Sequence, residues 1–157
     1  MIKIRIVAVG RVKEKYFSEA VAEYSKRLSR YCEFSVIEVK EENYDKVTPA
    51  AIEKILAAEG DRIEKSIKGY PVCLAVEGRK LSSEELAKCI KSKIDVGEGE
   101  LTFIIGGSYG ISERVKSLCR DRISFSAMTF PHTLARVMLA EQIYRAFTII
   151  SGAEYHK

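Results

Sequence analysis

Tryptophan is absent from this chain of 157 residues, and only three prolines and two histidines occur in it. Because proline interrupts helices and strands, its scarcity predicts regular secondary structure over most of the sequence. Repeats, linkers and low-complexity segments are also lacking. With 46% hydrophobic residues available for a core, the sequence predicts one domain over residues 1–157.

The four cysteines are widely separated, at Cys32, Cys73, Cys89 and Cys119. Without a C-x-x-C pair, neither a zinc site nor a disulfide framework is expected, and no metal is predicted. No apolar run reaches the ~18 to 20 residues that cross a bilayer, and the N-terminus lacks the features of a signal peptide. The sequence therefore predicts a soluble cytoplasmic protein with reduced thiols.

The net charge is +4 and the pI about 8.8, which permits a polyanionic partner without requiring one. Arg11, Lys13 and Lys15 near the N-terminus either face such a partner or are simply solvated. The only histidines are His132 and His156. Any acid–base chemistry near neutral pH therefore draws on a short list of side chains.

Hydrophobic periodicity alternates between strand and helix along the whole chain. Strands are predicted at residues 2–9, 34–39, 72–76, 101–105 and 123–125, and helices at 14–30, 49–67, 82–94, 111–119 and 131 to about 151. This alternation predicts an α/β fold with a mostly parallel sheet and helices on both faces. Ligands bind such sheets beyond the carboxyl ends of the strands, so the loops after Val76, Ile105 and Phe125 are the first candidates.

A glycine turn leaves the most hydrophobic strand in the sequence IIGGSYG, with Gly106, Gly107 and Gly110. It is not a dinucleotide fingerprint, because Ile105 stands where the first glycine is required, and no P-loop motif occurs. Glycines here indicate either a close backbone approach to a ligand or a turn that serves strand-to-helix packing.

The segment SFSAMTFPHTLARVMLAEQIYR, residues 124–145, sets a hydroxyl-rich loop against an apolar helix. Its hydroxyls and aromatic rings could hold a flat heterocycle such as adenine, or the loop could only cap the helix. Pro131 suits the first helical turn, where Thr129 or Thr133 could cap the free amides.

Charged residues interrupt this last helix. Arg136 lies among apolar neighbours and needs an acidic partner or a bound anion such as phosphate. Glu141 and Arg145 are four residues apart and could form an intrahelical pair.

Four segments occur in order: IVAVGRVKEKY, IIGGSYG, SFSAMTFPHTLARVMLAEQIYRAF and a terminal YHK. Together they resemble the large-subunit (23S) rRNA pseudouridine N3-methyltransferase family of the SPOUT class, over essentially the whole chain. The resemblance implies a C-terminal part threaded as a deep trefoil knot. It also implies a homodimer built partly on the last helix, and S-adenosyl-L-methionine as cofactor.

By the same resemblance, the cofactor touches residues in the three loops after the strands: Leu74, Gly106, Phe125, Ser126, Ala127, Met128, Thr129 and Phe130. The implied reaction methylates N3 of a pseudouridine in helix 69 of 23S rRNA, on the assembled ribosome. We assign the proton acceptor to His156, with Tyr155 orienting the base and Lys157 neutralising negative charge in the partner's site.

The residues next expected to bind RNA are Arg136, His132 and Arg145, the last of which could instead act at the dimer interface with Glu141. Two other functions remain open from the sequence. One is a SPOUT enzyme that methylates a ribose 2′-hydroxyl of tRNA or rRNA. The other is a non-catalytic dimer that binds ribosomes.

Overall fold

The computed structural model describes all 157 residues, with five strands and five helices in strict alternation. The strands are β1 Lys3–Val9, β2 Glu33–Val39, β3 Tyr70–Lys80, β4 Glu100–Ile105 and β5 Asp121–Ser124. The helices are α1 Lys15–Leu28, α2 Pro49–Ser66, α3 Ser83–Asp95, α4 Glu113–Leu118 and α5 His132–Ser151. The predicted α/β class is confirmed.

All five strands pair in parallel in the order β2-β1-β4-β3-β5. Side chains of β1 alternate between two buried clusters: Ile4 and Ile6 pack on one face of the sheet, and Val7 and Val9 on the other. The strand begins with Lys3 and Arg5 alternating with Ile4 and Ile6, and its second half is a continuous apolar run, as expected of a strand buried on both faces.

The helices form one layer on each face of this sheet. Helices α1, α3 and α5 pack together over the larger cluster, while α2 and α4 cover the smaller one. Helix α5 contacts both α1 and α3, so the last segment of the chain lies between two earlier helices. None of the five helices is long and apolar enough to cross a membrane.

Strand β3 is longer than predicted, because it continues beyond Val76 to Lys80. It pairs with β5 at Val72–Leu74 and again at Arg79–Lys80, with a register shift between Leu74 and Arg79. The intervening residues leave the regular ladder. An irregularity of this kind re-aims side chains at a sheet edge, and periodicity does not predict it.

Helix α5 begins differently from the prediction. Pro131 is the N-cap and no side chain caps the helix, so the predicted capping by Thr129 or Thr133 is wrong. The helix ends at Gly152, whose φ of 73° belongs to the left-handed region that favours glycine.

Candidate functional site

A cleft of about 680 Å³ opens at the carboxyl ends of β4 and β5, beside the irregular part of β3. The glycine turn after Ile105 and the hydroxyl-rich loop that follows β5 line it, as predicted. Residues 74–77 also line it, but they belong to β3, so the predicted loop after Val76 is wrong. The volume lies within the range of sites for small organic ligands. The cleft is therefore large enough for a nucleoside-sized molecule.

Glycine is required in the turn that forms the floor of this cleft. A Cβ atom on Gly106 would lie 2.5 Å from the carbonyl oxygen of Gly110. Gly110 has a φ of 85° and donates its amide hydrogen to the Gly107 carbonyl at 3.1 Å. The glycines thus permit a backbone turn too tight for side chains.

Glu59 of α2 supports the turn from behind and was missed from the sequence. It is only 4% exposed, and its Oε2 accepts a hydrogen bond from the Glu42 amide at 3.0 Å. Its Oε1 has no partner and lies 3.2 Å from where a Cβ on Gly107 would stand. Burial raises the pKa of Glu59 above its ordinary value. Glu59 is four residues from both Ile55 and Ile63, so it lies on the buried stripe of α2. This spacing could have identified it as a buried carboxylate.

The hydroxyl-rich loop is shaped by its own side chains. Ser124 donates its hydroxyl hydrogen to the Ser126 carbonyl at 3.1 Å, and the Ser126 hydroxyl accepts from the Met128 amide at 3.0 Å. Seven of the eight predicted cofactor contacts line the cleft; Ala127 does not, and lies exposed between Ser126 and Met128.

A charge pair lies at the cleft wall opposite this loop. Lys116 of α4 places its Nζ 2.6 Å from Glu77 Oε1, and both residues line the cleft. This hydrogen bond raises the pKa of Lys116 and lowers that of Glu77. Nothing in the local sequence joins these two residues, because they are 39 positions apart.

His132, at the first position of α5, also lines the cleft. Its ring lies 3.4 Å from where a Cβ on Gly10 would be, so it touches the end of β1. Burial, followed by the positive charge of Arg136, lowers the pKa of His132. The imidazole is therefore neutral near neutral pH.

Arg136 requires a correction. It is 1% exposed, pairs with Glu38 of β2, and donates from Nη2 to the carbonyls of Val9 at 3.1 Å and Gly10 at 2.9 Å. An enclosed guanidinium has no surface to offer a phosphate, so the predicted RNA contact is wrong. Of the two partners expected for a charge among apolar residues, an acidic side chain or a bound anion, the structure shows the acidic side chain of Glu38.

The sequence matches a family model described as predicted SPOUT methyltransferase over residues 2–156. The chain belongs to the SPOUT methyltransferase family. It is similar to ribosomal RNA large subunit methyltransferase H of Carboxydothermus hydrogenoformans, with 49% identity over 99% of both chains. The protein of that name from Limosilactobacillus reuteri is 47% identical over 98% of this chain and 99% of its own.

Solved structures share the SPOUT fold at low sequence identity. A probable methyltransferase from Bordetella pertussis Tohama I aligns with a TM-score of 0.61 and 14% identity, covering 93% of this chain and 95% of that one. A probable methylase family protein from Haemophilus influenzae Rd KW20 aligns with a TM-score of 0.59 and 13% identity, covering 98% and 70%. These likenesses show a shared fold where most residues differ.

As a SPOUT methyltransferase, the protein takes its methyl group from S-adenosyl-L-methionine. The cleft residues fit this molecule, because the close-packed glycine turn leaves backbone exposed and Phe125 and Phe130 provide aromatic faces. The predicted contacts Leu74, Gly106, Phe125, Ser126, Met128, Thr129 and Phe130 line this cleft.

The C-terminal tail of this SPOUT chain lies outside its own cleft. Tyr155 donates its hydroxyl hydrogen to Glu141 at 3.2 Å, and its ring centroid is 4.8 Å from that of Tyr144 on α5. Burial, assisted by neighbouring hydrogen bonds and charges, raises the pKa of Tyr155 to about 12. Lys157 is exposed and forms no ion pair.

His156 is held from two sides. Its Nε2 is 2.6 Å from Glu84 Oε1 on α3, and its Nδ1 is 3.1 Å from Arg145 Nη1. Arg145 also pairs with Glu141, as its spacing predicted. The three predicted catalytic residues are therefore adjacent to one another, but a single chain does not bring them to the cofactor cleft.

Proposed function

We propose that this SPOUT enzyme methylates N3 of a pseudouridine in helix 69 of 23S rRNA, on the assembled ribosome in the cytoplasm. The names of its full-length relatives at 45 to 49% identity support large-subunit rRNA as the substrate. The observation that carries the activity is the cleft, where two loops and the middle of β3 meet and a glycine backbone, two phenylalanines and hydroxyl groups face one ligand.

The chemistry of the acceptor sets what the protein must supply. When bound, S-adenosyl-L-methionine supplies an electrophilic methyl group. N3 of pseudouridine carries an imide proton, which must pass to a base as the nitrogen forms its bond to carbon. His156 takes this proton, Tyr155 orients the base, and Lys157 neutralises phosphate or the developing negative charge. Holding the two reactants in line provides the remaining rate enhancement.

We propose that the working unit is a homodimer in which the tail of one protomer completes the cleft of the other. The support is geometric: the tail contacts α3 and α5 of its own chain and not its own cleft. A second pocket of about 500 Å³ lies beside the cleft and shares Ile123, Ser124 and Phe125 with it. Val137 and Met138 of α5 line this pocket and offer apolar surface to a second copy of the chain.

Two further features belong to this proposal. The trefoil knot of the SPOUT class is expected in the C-terminal third, where β5 pairs beside β3 and α5 returns between α1 and α3. His132 and Arg145 remain candidates for contact with RNA: His132 lines the cleft, and Arg145 holds the tail residue His156.

The decisive assay incubates the protein with labelled S-adenosyl-L-methionine and intact ribosomes, free large subunits or naked rRNA. Nucleosides from the product are then separated by mass spectrometry. Base-methylated pseudouridine from intact ribosomes is the expected product. A ribose-methylated nucleoside would show that the protein is a 2′-O-methyltransferase. If calorimetry detects no binding of the cofactor, the remaining function is that of a non-catalytic dimer that binds ribosomes.

Mixed dimers test the shared site. A protein lacking residues 155–157 and a Gly106→Ala protein should each be inactive, the first with normal cofactor binding and the second with weak binding. After the two are mixed and allowed to exchange subunits, half of the dimers contain one intact site, so about a quarter of wild-type activity should return. Activity of the truncated protein alone would exclude the tail as the source of the base.

A further inference from the structure

The loop between β1 and α1 carries cations without partners. Arg11 and Lys13 are exposed and take part in no ion pair, whereas Lys15 pairs with Glu19 at 3.7 Å. Tyr16, at the start of α1, is 66% exposed and its hydroxyl makes no hydrogen bond within the chain. We call Arg11, Lys13 and Tyr16 the β1–α1 patch.

The Tyr16 side chain leaves most of its surface accessible to a ligand. The Tyr16 ring contacts Phe17 edge-on, with centroids 4.6 Å apart, and leaves much of its surface in solvent. An exposed aromatic ring close in sequence to free cations offers what proteins use to bind unpaired nucleotides, which is stacking on a base and neutralisation of phosphates.

The loop behind this patch is held in place by hydrogen bonds to Arg136 and to its partner Glu38. Arg136 binds the carbonyls of Val9 and Gly10, and its partner Glu38 accepts a hydrogen bond from the Val12 amide at 3.3 Å. The loop is therefore anchored on both sides of Arg11. Anchoring before binding lowers the conformational entropy lost when a ligand docks.

The patch also adjoins the cofactor cleft. Gly10 precedes Arg11 and touches the His132 ring, which lines the cleft. Glu41 lies on the same side of Gly10, at 3.8 Å from where its Cβ would be. The Glu41 carboxylate therefore lies near His132. Arg11 and Lys13 are the cations of this loop that no ion pair neutralises.

We propose that the β1–α1 patch binds the RNA strand beside the methylated nucleotide, with Arg11 and Lys13 on phosphates and Tyr16 stacked on an unpaired base. The inference rests on the proposed function, because it places the substrate of that same cleft.

The first test measures methyl transfer to intact ribosomes. Tyr16→Ala should raise KM by roughly 5- to 100-fold, Tyr16→Phe should restore it, and Arg11→Ala with Lys13→Ala should raise KM and flatten its salt dependence. Matched controls are Lys54→Ala, an exposed cation of α2 without an ion pair, and Tyr44→Ala, which is 42% exposed in the loop between β2 and α2. Cofactor affinity, measured by calorimetry, should stay unchanged in all variants.

A second test identifies the partner directly. A Tyr16→p-benzoylphenylalanine variant is irradiated on ribosomes, and the expected crosslink is to an rRNA nucleotide. Crosslinks to ribosomal protein alone would overturn the inference, as would wild-type KM in the patch variants of an active enzyme. If the wild-type protein transfers no methyl group to rRNA, the proposed function itself fails.

Discussion

The guanidinium of Arg136 on α5 pairs with the carboxylate of Glu38 on β2, 98 residues earlier in the chain. The same guanidinium holds the carbonyls that end β1. One side chain therefore links the last helix to the first two strands. It lies next to Ala135, which lines the cofactor cleft.

Replacing Arg136 by Met should lower the free energy of unfolding by about 3 kcal/mol, because buried carbonyls lose their donor. Urea unfolding of the purified protein measures this loss. Arg114→Met provides the control, because its pair with Glu64 is exposed and should contribute less than about 1 kcal/mol. Equal losses in the two variants would contradict the role assigned to Arg136.

Glu59 should make stability depend on pH. Its pKa is higher in the folded protein than in the unfolded chain, so folding favours the protonated carboxyl. The stability that this provides is complete below the unfolded pKa, about 4.3, and is lost as pH rises through the folded pKa.

Glu59→Gln should therefore be more stable than wild type at pH 7.5, with the difference shrinking as pH falls toward 4. Urea unfolding at several pH values measures this, with Glu53→Gln as control on the exposed face of the same helix. A difference independent of pH would exclude titration of Glu59 as its cause.

Gly106→Ala should weaken binding of S-adenosyl-L-methionine by about 10-fold or more, because a new Cβ would meet the Gly110 carbonyl and open the turn. Calorimetry with the cofactor measures the change. Gly99→Ala is the matched control, since nothing lies within 4 Å of a Cβ there. Normal affinity in the Gly106 variant would show that the turn does not shape the site.

The tautomer of His156 is a fourth prediction. Arginine can only donate hydrogen bonds, so the Nδ1 that faces Arg145 must accept, and the proton resides on Nε2 facing Glu84. Nitrogen NMR at neutral pH should report this tautomer, and Arg145→Met should let the two tautomers mix. Finding the Nδ1–H form in the wild-type protein would mean that the tail is not docked as described.

Some of the site follows from local sequence. The alternation of strands and helices predicted the parallel sheet, and the carboxyl-end rule then selected the two loops that line the cleft after β4 and β5. Glycine identity predicted the tight turn at Gly106. The cofactor and family came from the resemblance of several motifs taken together, not from any single loop.

Other features depend on pairs that are distant in sequence. Lys116 meets Glu77, and Arg136 meets Glu38, only because β3, α4, β2 and α5 converge at one end of the sheet. The sequence marked Arg136 as a charge in need of a partner, yet phosphate and carboxylate satisfy that need equally well.

The order and type of the elements, the glycine turn and the family could be read from the sequence alone, because they depend on local periodicity, backbone freedom and motif order. Only the folded chain shows which charges are buried, that the tail lies outside its own cleft, and that Tyr16 is exposed. The physical reason is that burial and pairing are properties of the packed chain: the same arginine binds phosphate when exposed and anchors a loop when enclosed.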